Sequence, residues 1–197
     1  MVKFTAQEIR DIIISMFVIS LAFAFIFSGR DLSLTILLIP LTFVVVGLGF
    51  VLHELAHKFV AIRYGYWAEY KMWVQGLVLA LITAYFGIVF AAPGAVYIHG
   101  NYIKSSENGK ISLAGPLTNI ILAALFLVSA SLLSSIGLAR IAILGATVNS
   151  FLAVFNLVPL GIFDGAKVFR WNPIIWIVIM GVAVLLWIYT TFGISFI

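Results

Sequence analysis

Cysteine is absent from this chain, which excludes a disulfide framework and any thiolate metal site. Charge is nearly as scarce. Asp, Glu, Lys and Arg make up 9% of the 197 residues, against about 25% in ordinary soluble domains. With 64% hydrophobic residues, this excludes a soluble globular protein and points to a polytopic chain surrounded by the lipid bilayer. The net charge of +4 is no nucleic-acid signature, because the basic residues are dispersed through loops, as the positive-inside bias requires. No nucleic-acid partner is expected. No internal repeat, low-complexity tract or linker is present, so one membrane-embedded domain over 1–197 with no soluble regulatory domain accounts for the sequence. The first apolar run ends in Phe27-Ser28-Gly29-Arg30-Asp31. It lacks a small-x-small cleavage pattern and reads as a retained span.

About 20 apolar residues cross a bilayer. Clear candidates are 12–27 (extended by 4–9), 33–57, 111–138, 141–158 and 173–197. A further stretch, 74–92, is ambiguous, so the expected fold is all-α and polytopic with five to six transmembrane helices. Charge arbitrates. If 74–92 does not cross, Lys3, Arg10, Lys58, Arg63, Lys71, Lys104, Lys110, Lys167 and Arg170 share one face, and only Arg30 and Arg140 lie on the other. If it crosses, that split of nine against two becomes six against five. The Lys and Arg bias sets orientation, so the N-terminus is expected in the cytoplasm of a multi-pass cell-membrane protein and the C-terminus outside. The segment near 74–98 must then enter and leave by the same face. A re-entrant or interfacial β-hairpin is expected there, with a short strand at Ala95-Val96-Tyr97-Ile98.

Two of the three histidines stand in His53-Glu54-Leu55-Ala56-His57, at the end of the second apolar run. On a helix this spacing puts two imidazoles on one face, one turn apart, within reach of one Zn²⁺. Glu54 then lies beside the metal as a general base. A catalytic zinc usually keeps three protein ligands and one open position. Candidates for the third ligand are His99, one of the other carboxylates or an asparagine. Asp31 falls on the wrong face, and Glu8, Glu69 and Glu107 lie in polar segments. Asp164 follows the fourth span on the same face as the histidines, with Gly161 and Gly165 to permit an inward turn.

Together His53-Glu54-Leu55-Ala56-His57, Gly115-Pro116-Leu117-Thr118-Asn119, and Asn156-Leu157-Val158-Pro159 followed by Asp164-Gly165 resemble the site-2 protease family of intramembrane zinc metalloproteases. The resemblance covers roughly 32–170 and is similar to the short archaeal members. It implies one Zn²⁺ per chain on His53, His57 and Asp164, with Glu54 as base. It also implies Asn156 and Asn119 as contacts to the substrate backbone or oxyanion, and transmembrane proteins as substrates cut near the cytoplasmic face. The alternative is a zinc-binding or proton-coupled transporter. That class calls for polar groups along several spans or inverted repeats, whereas here the ionisable groups cluster at one face.

Overall fold

The bilayer core offers backbone groups no water, so apolar runs must satisfy them internally and become helices. The computed structural model describes residues 2–90, 92–100 and 102–193. Among these, five helical stretches are long and apolar enough to cross a membrane: Ala6–Phe27, Leu32–Arg63, Ser105–Leu132, Ile136–Asn156 and Pro173–Phe192. The chain is thus a polytopic, all-α membrane protein with a small sheet. In chain order the elements are α1 (Ala6–Phe27), α2 (Leu32–Thr42), a π-helical turn (Phe43–Gly47), α3 (Leu48–Arg63), β1 (Trp67–Met72), α4 (Val74–Tyr85), β2 (Gly94–His99), α5 (Ser105–Leu132), α6 (Ile136–Asn156), α7 (Asp164–Trp171) and α8 (Pro173–Phe192). The second span runs continuously from α2 through the π turn into α3. The expected last span reached 197; residues 194–197 lie outside the described residues.

The segment after β1 differs in kind from the expected hairpin. Residues 94–99 form a strand as anticipated, but its antiparallel partner is β1, paired from Trp67↔His99 to Met72↔Gly94. The residues between are largely helical. In α4, Gly76, Leu77, Ala80 and Ala84 are buried at helical spacing, and the small residues let the helix pack on α1. An apolar run immersed in lipid carries no polar–apolar alternation, so its period could not distinguish strand from helix. At 12 residues, α4 rises about 18 Å, too short for a core of about 30 Å. Met72 and Gly94 face each other across the sheet, and the Trp73 amide donates to the Pro93 carbonyl at 2.7 Å. The segment therefore returns to its starting point, as the charge pattern required. Its tip at Gly87 sits against the Arg30 guanidinium in the α1–α2 turn.

α1 organises the other side of the sheet. Glu8, expected in a polar segment, and Asp11 are buried. Glu8 accepts from Lys58 Nζ of α3 at 2.5 and 2.6 Å and from the Tyr70 amide of β1 at 3.0 Å. Asp11 accepts from the Met72 amide at 3.3 Å. Two carboxylates thus satisfy strand amides that a third strand would otherwise have to meet. Around this junction Met16, Ile19, Phe23, Val46, Phe50, Tyr70, Val89 and Val148 form the main core cluster. α6 ends at Asn156, and the Trp176 indole N–H of α8 donates to the Leu157 carbonyl just beyond it at 2.8 Å. The chain then turns through Gly161, whose φ of +40° suits glycine, to begin α7 at Asp164.

Candidate metal centre

α3 presents His53 and His57 on one face, with ring centroids 4.7 Å apart and planes at 84°. α5 runs against that face. His57 Nδ1 lies 2.8 Å from the Ile111 carbonyl, and His53 Nδ1 lies 2.5 Å from Asn119 Oδ1. Both partners are acceptors, so each Nδ1 carries the proton and each Nε2 is left with a lone pair. Between those contacts α5 carries Gly115. A Cβ there would run into Nε2 of both rings, so only glycine leaves the space into which the two nitrogens converge. Pro116 follows at once, where it lacks the amide that would bond the Ser112 carbonyl and loosens that turn.

Asp164 reaches the same space from α7. Its Oδ2 stands 3.3 Å from His53 Nε2 and 3.0 Å from His57 Nε2. Among the described residues, His53, His57 and Asp164 are the set whose donor atoms, all within 4.8 Å of one another, could hold a metal ion. Burial works against the Asp164 charge, but the two rings, when protonated, outweigh it and hold the carboxyl well below the usual carboxylate range. Lys167, one turn on, brings Nζ to 3.7 Å from the other oxygen of Asp164. Glu54 lines the same cleft and is buried with Oε2 unpaired among the described residues. Two imidazole nitrogens and one carboxylate oxygen, a glycine-made gap and an orphaned buried carboxylate oxygen fit a catalytic zinc that keeps one position open.

The asparagines separate. Asn119 is fully buried. Its Oδ1 faces His53, while Nδ2 donates to the Gly49 carbonyl at 3.2 Å and to Asn149 Oδ1 at 3.0 Å. Both amide hydrogens are engaged, so Asn119 orients His53 and has no donor left for an oxyanion. Asn156 uses one amide hydrogen on the Leu152 carbonyl of its own helix at 2.9 Å and borders the cleft. His99 ends β2 at an exposed position, outside the donor cluster. Sequence reasoning passed over Asn149, the Ile111 carbonyl and Lys167. Asn149 had a signal, since a polar side chain inside a span asks for a partner. The Ile111 carbonyl had none, because every residue carries that group.

A protein of Methanocaldococcus jannaschii named "Putative zinc metalloprotease" is 46% identical to this chain over 184 residues, covering 90% of this chain and 91% of its own. The chain belongs to the family of that protein. No family model and no solved structure matches it. The stretch aligned with this metalloprotease relative takes in nearly the whole chain.

Proposed function

We propose that this chain is an intramembrane zinc metalloprotease that hydrolyses peptide bonds of membrane-spanning substrates near the cytoplasmic face. The supporting observation is the unpaired Glu54 Oε2 beside a donor set of two buried imidazoles and one part-buried carboxylate. His53, His57 and Asp164 would hold one Zn²⁺ per chain. When bound, zinc would supply Lewis acidity to the scissile carbonyl and lower the pKa of the attacking water towards about 7. Glu54 takes the proton of that water and returns it to the leaving amide nitrogen. Asn119 and the Ile111 carbonyl keep the two rings aimed.

Asn156 is assigned the oxyanion contact through its second amide hydrogen. An oxyanion contact acts chiefly in the transition state. Asn156→Ala should therefore keep near-normal zinc and lower kcat more than it raises KM, by about 10²-fold. Loss of zinc or of the folded protein in that variant would make the residue an interhelical tie instead.

A substrate helix hides its carbonyls in i→i−4 bonds and must unwind before attack. β2 has no strand on its outer side among the described residues, and Gly94, Ala95, Val96 and Ile98 line the metal cleft. An unwound substrate strand would pair there. The N-terminus is assigned to the cytoplasm. Because the chain has no cysteine, single Lys71→Cys and Lys104→Cys variants should react with an impermeant maleimide from the cytoplasmic side, and Arg140→Cys from outside. Labelling of Lys71→Cys and Lys104→Cys from opposite faces is the result that would remove this topology.

A further inference from the structure

We propose that the apolar cavity beside Glu54 is a side-chain subsite that selects substrates with a bulky apolar residue next to the bond that is cut. This rests on the proteolytic reading and deepens it. The cavity measures about 310 Å³ and has His53, Glu54 and Asn156 at one end. Asn119, Trp73 and Tyr97 also line it, and most of the remaining wall is apolar, including Ile19 of α1, Phe50 of α3, Val89 on the return from α4, and Phe151, Leu152 and Phe155 of α6. Phe155 is held in place by edge contacts to Phe90 and Phe163, with centroids 5.5 and 4.9 Å away. Phe151 is stacked on Phe155 and edges onto Phe23.

Three observations assign the occupant. The volume lies at the lower end of the range for small-molecule pockets, roughly 300–1,000 Å³, and leaves room for the largest apolar side chain. The cavity is continuous with the general base and with His53, so whatever fills it lies next to the reacting carbonyl. A substrate opened to an extended strand along β2 projects successive side chains to opposite faces, and one of the two beside the scissile bond then points towards α6. Away from His53, Glu54 and the two asparagines the lining carries no charge, and Trp73 and Tyr97 are its polar-tipped side chains. Leucine, phenylalanine and methionine fit its chemistry, and aspartate or lysine does not.

The test is a panel of membrane-inserted peptides sharing one mapped cleavage site, with the residue on each side of the bond varied in turn through Ala, Leu, Phe and Asp. At one of the two positions kcat/KM should rise about 10–100-fold from Ala to Leu or Phe, and Asp should be cut least. Leu152→Phe, which narrows the cavity, should lower the advantage of Phe over Ala. Phe151→Ala, which enlarges it, should bring a Trp-bearing peptide into the cut set. Zinc content is measured in parallel and should stay at the wild-type level in both variants. Equal kcat/KM across the panel in the wild type overturns the subsite while leaving proteolysis intact. A preference that neither variant shifts also overturns it and points to a lipid acyl chain as occupant. No cleavage of any peptide removes the proteolytic reading itself.

Discussion

Glu54→Gln will keep its zinc and lose its turnover. The substitution preserves the shape of a side chain already accommodated at this buried position and removes the proton acceptor. General base catalysis contributes about 10²–10⁴-fold, so cleavage of a membrane-inserted peptide should fall by about 10³-fold while metal analysis still finds one zinc per chain. Activity above a few hundredths of wild type would dismiss Glu54 as the base. Zinc loss in the same variant would recast it as part of the metal site.

The second large effect concerns the metal itself. His57→Ala deletes one of three proposed donors and should leave the purified protein with little zinc and no activity. Asp164→Asn keeps an oxygen at the same place but removes its charge, so zinc should be held more weakly rather than lost. Two further variants probe the support and not the donors. Gly115→Ala sets a methyl group against both Nε2 atoms, so the rings must part and zinc affinity should fall sharply. Asn119→Ala frees the His53 ring from its 2.5 Å contact and should cost about 10–100-fold in affinity, the usual loss when a ligand's orienting partner goes. Competition with a chromogenic chelator measures all four. Full zinc occupancy with normal activity in Asp164→Ala would dismiss that residue as a ligand.

The spans were legible because hydropathy in a membrane protein reports the solvent directly. The histidine pair was legible because a helix converts a spacing of four into adjacency. Asp164 lies far along the chain, yet face-counting of charges and the turn residue Gly161 brought it near. The return of 73–93 to its origin followed from the same counting. What stayed hidden depends on contacts between distant residues. β1 exists as a two-stranded edge because Glu8 and Asp11 of α1 accept the amides of Tyr70 and Met72, and no local pattern in 67–72 announces such acceptors. The helical state of 74–85 was hidden for the opposite reason: its run is apolar apart from Gln75 and Thr83, and lipid-facing positions leave little period to read. Asn119 carried a motif but not a role, which depends on the direction its amide takes, and Asn149 and Gly49 decide that.

The knot between α1, α3 and β1 bears on how the protein is made. Lys58 follows a proposed zinc donor in sequence and is buried to 1% exposure, its charge answered by Glu8. Removing one partner of a buried ion pair costs about 3–5 kcal/mol. A leading hydrophobic helix is commonly a postal address, cut away once the chain arrives. Here, removal of the first helix would strip Glu8 and Asp11 together, strand a buried lysine beside the metal helix and bare two amides of the sheet. Ribosomal order sharpens the point, since the acids are made before the lysine and strand they will meet. α1 must therefore wait in the bilayer as a half-finished surface until α3 and β1 are made, and a chain cut after this helix would be unable to close the fold around its histidines.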